Sequence, residues 1–303
     1  YSSILFELTY VSGIIQVLIN NRELIGEKNS FYNFCRSIGL LHLGLFLLYA
    51  GIIFISGDRG PIIYLLVGII SAYVISTKQK VSKIKIFAMF FVGSILISSM
   101  VVVRNNQDDK TPVLTRLFNA LISGEANAYS SLDESNSISK STFELALSLR
   151  TLHNSVDAVP NRATYFYGQL QFLQIVTVLP FGQKLIKESF NIKDHELTSA
   201  KYVTNLIGGE NGTEGTSCVA DLYLDFGVFG VSFGLFFFGV FTRKIEEGVF
   251  KDNLPKLLIL ISYIVICQYA IYIPRSTIMF NFRNVIWILI IMKFIQSVSK
   301  KNK

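Results

Sequence analysis

The chain has 303 residues, of which 51% are hydrophobic and only 16% are charged, whereas about a quarter of the residues of a soluble domain are charged. This composition excludes a disordered chain and argues against an ordinary soluble domain. The net charge of +7 would suit a nucleic-acid-binding protein, but membrane proteins also collect lysine and arginine in their cytoplasmic loops, and the long apolar runs favour that explanation.

Six apolar runs predict membrane-spanning helices at residues 38–55, 61–76, 84–103, 222–241, 257–273 and 277–295. A further run at residues 4–19 is interrupted by Glu7 and is either the end of a span or an interfacial segment. The predicted fold is therefore an all-α polytopic membrane protein with six or seven transmembrane helices. We expect N-terminal transmembrane helices over residues 1–103, one large helical extracytoplasmic loop over 104–221, and C-terminal transmembrane helices over 222–303.

A short loop with four lysines fixes the predicted orientation, because basic residues in short loops stay in the cytoplasm. Lys78 and Lys85 bound this loop, which contains no acidic residue. Alternation then places the turn at residues 56–60 and the long loop outside. In that loop, residues 141–144 form a capping box before a helical leucine repeat. Residues 164–179 are apolar but carry three glutamines, which predicts a helix at the outer interface or one that re-enters the membrane.

The basic residues closest to the membrane on the predicted outer side are all arginines, although the charge rule disfavours them there. Arg283 is predicted to lie more than a turn inside its span, which is costly without a partner. Because arginine forms bidentate hydrogen bonds to phosphate, the set predicts binding of a phosphorylated lipid headgroup. The alternatives are snorkelling to ordinary lipid phosphates or ion pairs with Asp58, Asp221 or Asp225. The set comprises Arg59, Arg104, Arg275 and Arg283.

Carboxylates on the same side are the candidates for catalysis. Asp221 and Asp225 are four residues apart and share one face of a helix, where each is either a general base or an arginine partner; for Asp225 pairing is favoured. Glu214, in a glycine-flanked loop, can approach a sugar more freely, so Glu214 and Asp221 are the predicted catalytic residues. His153 in the loop helix is an alternative base, although a solvated histidine is the simpler interpretation. No acidic cluster suits a metal, so we expect no metal and no cofactor.

Two segments of the chain resemble the Wzy-type O-antigen polysaccharide polymerases. One is the turn Ser56-Gly57-Asp58-Arg59-Gly60-Pro61 between two spans. The other is residues 215–230, the entry from the long loop into a span, where Tyr223 precedes an aromatic-glycine pair. The layout of many spans, one large loop and outer arginines is similar as well, and corresponds to the C-terminal portion of a full family member.

The resemblance implies a membrane glycosyltransferase of the bacterial inner membrane, with its large loop in the periplasm. Such an enzyme moves a growing glycan from one undecaprenyl diphosphate to another lipid-linked repeat unit and makes O-antigen or capsule-like polysaccharide. Attack opposite the diphosphate inverts the anomeric carbon. The implied partners are undecaprenyl-diphosphate-linked glycans, membrane lipid, a chain-length regulator and a flippase, without nucleic acid. An O-antigen ligase, or a lipid-linked oligosaccharide transporter or assembly partner, stays open as an alternative.

Overall fold

The computed structural model describes residues 2–20, 31–56, 60–77, 140–206, 215–251 and 256–301. All regular secondary structure in these ranges is helical, as the composition predicts. The chain divides into two compact units, Tyr1–Ser137 and Ile138–Lys303, which are described separately.

The first unit contains four described helices: α1 (Ser2–Asn20), α2 (Phe31–Ile38), α3 (Leu40–Ser56) and α4 (Gly60–Thr77). Helix α1 packs on α4, and the buried side chains of both are mostly aliphatic. The hydroxyls of Ser12 and Ser71 each donate to the carbonyl four residues earlier, at 2.7 Å, so that their polar groups are satisfied within the helix. Helices α2 and α3 meet at Gly39 with a bend of 92°.

The second unit begins with four helices of the predicted long loop: α5 (Lys140–Ala158), α6 (Gln169–Val176), α7 (Gly182–Phe190) and α8 (Ser199–Leu206). Three longer or more apolar helices follow: α9 (Cys218–Lys251), α10 (Leu257–Tyr269) and α11 (Phe280–Lys301). Helix α10 packs against both α9 and α11, while α5, α6 and α8 contact the first part of α9. The loop helices are therefore attached to one end of the apolar helices.

The described residues contain two helices long and apolar enough to cross a membrane, α9 and α11, or three if the bent pair α2–α3 is one span. The predicted count of six or seven spans is thus not reached in the described ranges, and the predicted span at residues 84–103 lies outside them. Three further apolar helices are shorter than a span, over residues Ile4–Ile19, Gly60–Ser76 and Leu257–Tyr269. The 13 residues of α10 reach only about 20 Å, less than the roughly 30 Å of a bilayer core.

The predicted depth of Arg283 is wrong. The apolar run begins at Thr277, but a 3-10 turn at Ile273–Arg275 and a further turn precede the helix. Helix α11 therefore begins only at Phe280, and Arg283 lies in its first turn rather than deeper in the span.

Candidate functional site

The site is built around a break in α9 at Gly227, whose φ of 65° and ψ of −154° are open only to glycine. At this break two α9 carbonyls accept hydrogen bonds from the loop. The amide of Phe166 donates to the carbonyl of Leu224, and the amide of Tyr167 donates to that of Asp225, both at 3.0 Å. The segment before α6 is thereby joined to the backbone of α9.

Asp225 caps the beginning of α6 from another helix. Its Oδ1 accepts hydrogen bonds from the amides of Gly168 and Leu170, each at 3.1 Å, and its Oδ2 accepts one from Gln171 at 3.0 Å. Helix α6 has no side-chain cap of its own, and the carboxylate is fully buried. A carboxylate suits this position because a helix N-terminus presents free N–H groups and a partial positive charge. Asp225 thus fixes α6 to α9.

Asp221, one turn earlier in α9, joins two loop helices. Its Oδ2 accepts a hydrogen bond from Nε2 of Gln171 at 2.5 Å, and its Oδ1 accepts one from the hydroxyl of Ser199 at 2.7 Å. Thr277, from the segment before α11, lies beside the same carboxylate. Asp221 is only 1% exposed. Neither Asp221 nor Asp225 forms an ion pair with a described residue, so the arginine pairing favoured for Asp225 is not what this part of the chain shows.

Tyr223 lies in the packed junction between the loop and α9. Its hydroxyl donates to the carbonyl of Val159 at 3.1 Å, and its ring meets that of Tyr165 edge-on. Tyr165 in turn covers the break, because a Cβ added at Gly227 would lie 3.0 Å from the Tyr165 hydroxyl. Burial raises the pKa of Tyr202, which packs edge-on against Phe166 in the same junction. The buried members of this cluster are Ala158, Val159, Leu170, Tyr202, Val203 and Leu224.

The two described arginines of the predicted set lie at the same end of the apolar helices. Arg275 ends the 3-10 turn and Arg283 follows it in the first turn of α11, and both are partly buried. The turn packs on α9 through Ile273 and Ile278, which cluster with Cys218 and Leu222. Because Thr277 touches Asp221, the arginine-bearing segment adjoins the buried carboxylate. The other predicted site residues, Asp58, Arg59, Arg104 and Glu214, lie outside the described ranges.

His153 is not brought to this site by any described contact. Its side chain is exposed on α5, while Thr151 and Ser155, two residues away on either side, are fully buried. Residues two positions apart on a helix point in nearly opposite directions, so His153 faces away from the packed side of α5.

Four polar residues at the site were missed in the sequence: Gln171, Ser199, Asn281 and Asn284. Asn281 is 3% exposed and Asn284 is 1% exposed, and neither amide has a hydrogen-bond partner among the described residues. The sequence did indicate Asn281 and Asn284, because they flank Arg283 at the start of an apolar span. Buried polar groups without partners are rare in native proteins and call for an explanation such as a ligand or an ion.

The fold and this site define a helical integral membrane protein in which a helical segment is fixed to a membrane-spanning helix through two buried carboxylates. The family model for the O-antigen polysaccharide polymerase Wzy matches residues 39–302, and the chain belongs to this family. The match confirms the resemblance seen in residues 56–61 and 215–230, both of which it includes. No curated protein and no solved structure matches the chain.

Proposed function

We propose that this protein polymerises oligosaccharide repeat units carried on undecaprenyl diphosphate, at the periplasmic face of the bacterial inner membrane. The observation that carries the proposal is the family match, which extends over residues 39–302 and thus over both the transmembrane helices and the loop helices. The polar groups collected at one end of α9 and α11 support it, because they offer a binding place for a charged headgroup beside apolar helices.

The reaction is a glycosyl transfer. A hydroxyl of one lipid-linked unit attacks the anomeric carbon of the other glycan, a new C–O bond forms, and the bond to the diphosphate breaks with inversion. The diphosphate leaves with the bonding electron pair, and a base takes the hydroxyl proton. Fixed positive charges next to the leaving group lower the barrier. We assign this role to Arg275 and Arg283, and Arg59 and Arg104 stay predictions from the sequence.

Asn281 and Asn284 extend the proposed headgroup site. They flank Arg283 in the first turns of α11, and their buried amides have no described partner. An amide N–H can donate to a phosphate oxygen or to a sugar hydroxyl, and the amide oxygen can accept from the hydroxyl. A bound substrate would satisfy groups that are otherwise unfavourable to bury.

Glu214 is the proposed base. Asp221 was the other predicted candidate, but its burial and its hydrogen bonds to Gln171 and Ser199 favour a positioning role. In that role Asp221 holds α6 and α8 close to the start of α9, which Glu214 precedes by four residues in the chain. A carboxylate base accounts for the proton without a metal, so we propose a metal-independent, inverting reaction.

The decisive experiment supplies the purified protein with a synthetic undecaprenyl-diphosphate-linked repeat unit. We expect a ladder of products on a gel, unchanged by excess EDTA. A single transfer, seen only when a lipid A-core acceptor is added, would instead identify a ligase. Movement of the lipid-linked unit across vesicles without any new glycosidic bond would identify a transporter. Activity that needs Mg²⁺ or Mn²⁺ after chelation would contradict the metal-independent mechanism. A chain-length regulator and a flippase are the expected partners in the cell.

A further inference from the structure

Helices α6 and α7, with the turn between them, expose an unusual number of large apolar side chains. Six of them in 19 residues are between 49% and 78% exposed, and we call this surface the α6–α7 apolar face: Phe172, Ile175, Leu179, Phe181, Leu185 and Phe190. Soluble surfaces rarely carry a contiguous apolar patch of this kind unless something covers it.

The α6–α7 apolar face continues onto the membrane-facing surface of α9. The chain enters α6 at Gly168, where an added Cβ would lie 2.9 Å from Cζ of Phe226. Phe226 is itself exposed, and so are Val228 and Phe229 immediately after the break in α9. Because α9 is a candidate membrane span, these side chains are expected in lipid. The exposed apolar surface of α6 thus begins where the lipid-facing surface of α9 begins.

The far end of α6 is attached to the other span. The indole N–H of Trp287 donates to the carbonyl of Val178 at 3.1 Å. Trp287 follows the first residue of α11 by seven positions, which corresponds to about 10 Å along that helix. Asp225, at the other attachment of α6, lies two residues before the break in α9. Helix α6 therefore lies beside two spanning helices rather than beyond them.

The polar side chains of α7 are arranged as in helices that lie in a membrane interface. Lys184 and Lys187 accompany Leu185 in this short helix, and lysines on the polar side suit anionic headgroups. Lys187 donates to Asp194 at 2.7 Å, an ion pair that holds the pKa of Asp194 below its usual value. This pair ties α7 to the 3-10 turn at Asp194–Glu196.

We propose that α6, α7 and their connecting turn lie in the outer leaflet of the bilayer, with the α6–α7 apolar face in contact with lipid acyl chains. Lipid, rather than a second protein, covers this face, because the face is continuous with the exposed apolar surface of α9 and because Val178, two residues after α6, is bound by Trp287 inside the spanning helix α11. The Asp221–Gln171 contact is then held at headgroup depth. This inference does not depend on the glycosyl transfer proposed above.

The test uses the full chain in vesicles of phosphatidylethanolamine and phosphatidylglycerol. The cysteines Cys35, Cys218 and Cys267 are replaced, and single cysteines carrying an environment-sensitive fluorophore are placed at Ile175, Phe181 or Leu185. Arg162, exposed on the loop beyond α5, is the matched control position. We expect lipids with a nitroxide on the upper acyl chain to quench the three test positions about threefold more than the control, and aqueous iodide to show the reverse order.

The unmodified protein provides a second measurement, because Trp287 is the only tryptophan in the chain. Its fluorescence should be quenched by lipids brominated in the upper acyl chain. Iodide quenching of Ile175 and Phe181 equal to that of Arg162 would overturn the proposal. So would protection of these positions from both quenchers, which would show that protein covers the face. Failure of bromolipids to quench Trp287 would overturn it even if the cysteine variants do not fold.

Discussion

At the residue scale, two carboxylates one turn apart in α9 receive their described hydrogen bonds from neutral donors. Asp225 takes three from backbone amides, and Asp221 takes two from the side chains of Gln171 and Ser199. Hydrogen bonds to an ionised acceptor are stronger than hydrogen bonds between neutral groups, so these donors can replace the water that each carboxylate loses on burial. The pair therefore joins the loop helices to α9 without an arginine.

Replacing Asp225 should destabilise the protein strongly. Asp225→Ala leaves three N–H groups of residues 168–171 without their acceptor, two of them buried, at about 1–3 kcal/mol for each buried group, so we expect a loss of at least about 2 kcal/mol. Asp225→Asn keeps one acceptor and should cost less. The midpoint of thermal unfolding in detergent measures both. The control Asp157→Asn removes an exposed ion pair and should change stability by less than about 0.5 kcal/mol. Equal effects at Asp225 and Asp157 would contradict the capping role.

Arg283→Lys should separate bidentate binding from simple charge attraction. Lysine keeps the charge but loses the planar fork, so polymerisation should fall about tenfold while the protein accumulates normally. The length of the polymer ladder, normalised to protein level in cells lacking the native gene, is the measurement. Arg162→Lys, at an exposed ion pair, should leave the ladder unchanged. A normal ladder from the Arg283→Lys variant would show that charge alone is sufficient.

Asn284→Leu should have opposite effects on stability and activity. Leucine is close in size and removes a buried amide that has no described partner, so thermal stability should be unchanged or higher by about 1 kcal/mol. If the amide binds substrate, polymerisation should nevertheless fall by about tenfold. Asn205→Leu, on the exposed side of α8, is the control and should affect neither property. Loss of stability with activity retained per folded molecule would assign Asn284 a structural role instead.

The spacing of Asp221 and Asp225 was sufficient to predict that they share a helix face, but not what they bind. Their partners lie 22 to 57 residues away in the chain, on backbone amides and on neutral side chains that carry no distinctive pattern. The asparagines flanking Arg283 were visible in the sequence. Their burial without partners, however, depends on how α11 packs.

At the element scale, α9 combines a long apolar helix with a break at which the loop is attached. Two glycines permit the close approach. The missing Cβ of Gly227 leaves room for the Tyr165 hydroxyl, and that of Gly168 leaves room for the ring of Phe226. The segment before α6 and the break in α9 thus each contain a glycine, and an aromatic side chain of the other segment packs on it. The backbone bonds from Phe166 and Tyr167 then complete the junction.

Gly227→Ala should therefore destabilise the protein much more than Gly239→Ala in the same helix. The added Cβ meets both an unfavourable backbone conformation and the Tyr165 hydroxyl at 3.0 Å, so we expect a loss of roughly 2–4 kcal/mol. Gly239 is the matched control, since a Cβ there meets nothing within 4 Å and the position is helical. Gly239→Ala should be neutral or slightly stabilising. Similar unfolding midpoints for the two variants would show that the break is not needed.

Helices were easier to predict than their ends. Hydrophobic runs located α9, α10 and α11, but the runs at 257–273 and 277–295 also included turn residues that are as apolar as helical ones. The run predicted as a span from Thr277 contains a turn before Phe280, and the run at 164–179 yields only the eight residues of α6. Apolar composition reports burial or contact with lipid, whereas helix ends depend on caps such as Asp225, which comes from a distant part of the chain.

At the scale of the whole molecule, the part of α9 after its break is long enough to span a bilayer. The part before the break packs back on it, because a Cβ added at Gly234 would lie 2.9 Å from the side chain of Leu222. Residues 228–251 measure about 36 Å by helical rise, which exceeds the roughly 30 Å of a bilayer core. The end at the break carries the loop helices. The other end carries Arg243 and Lys251, both paired with Glu247. The orientation predicted from the lysine loop at residues 78–85 would place this second end in the cytoplasm.

The orientation of the protein in the membrane can be tested by labelling from the two sides. Single cysteines replacing Asp58 or Asn136 should react with a membrane-impermeant maleimide in intact spheroplasts, whereas those replacing Lys80 or Glu247 should react only after permeabilisation. The physical reason is that lysine-rich short segments are retained in the cytoplasm, and that the part of α9 after the break is long enough to put Glu247 on the side opposite Gly227. Labelling of Glu247 in intact spheroplasts, with Asn136 protected, would invert the arrangement. It would place the carboxylates and Arg283 in the cytoplasm, where the proposed periplasmic transfer could not occur.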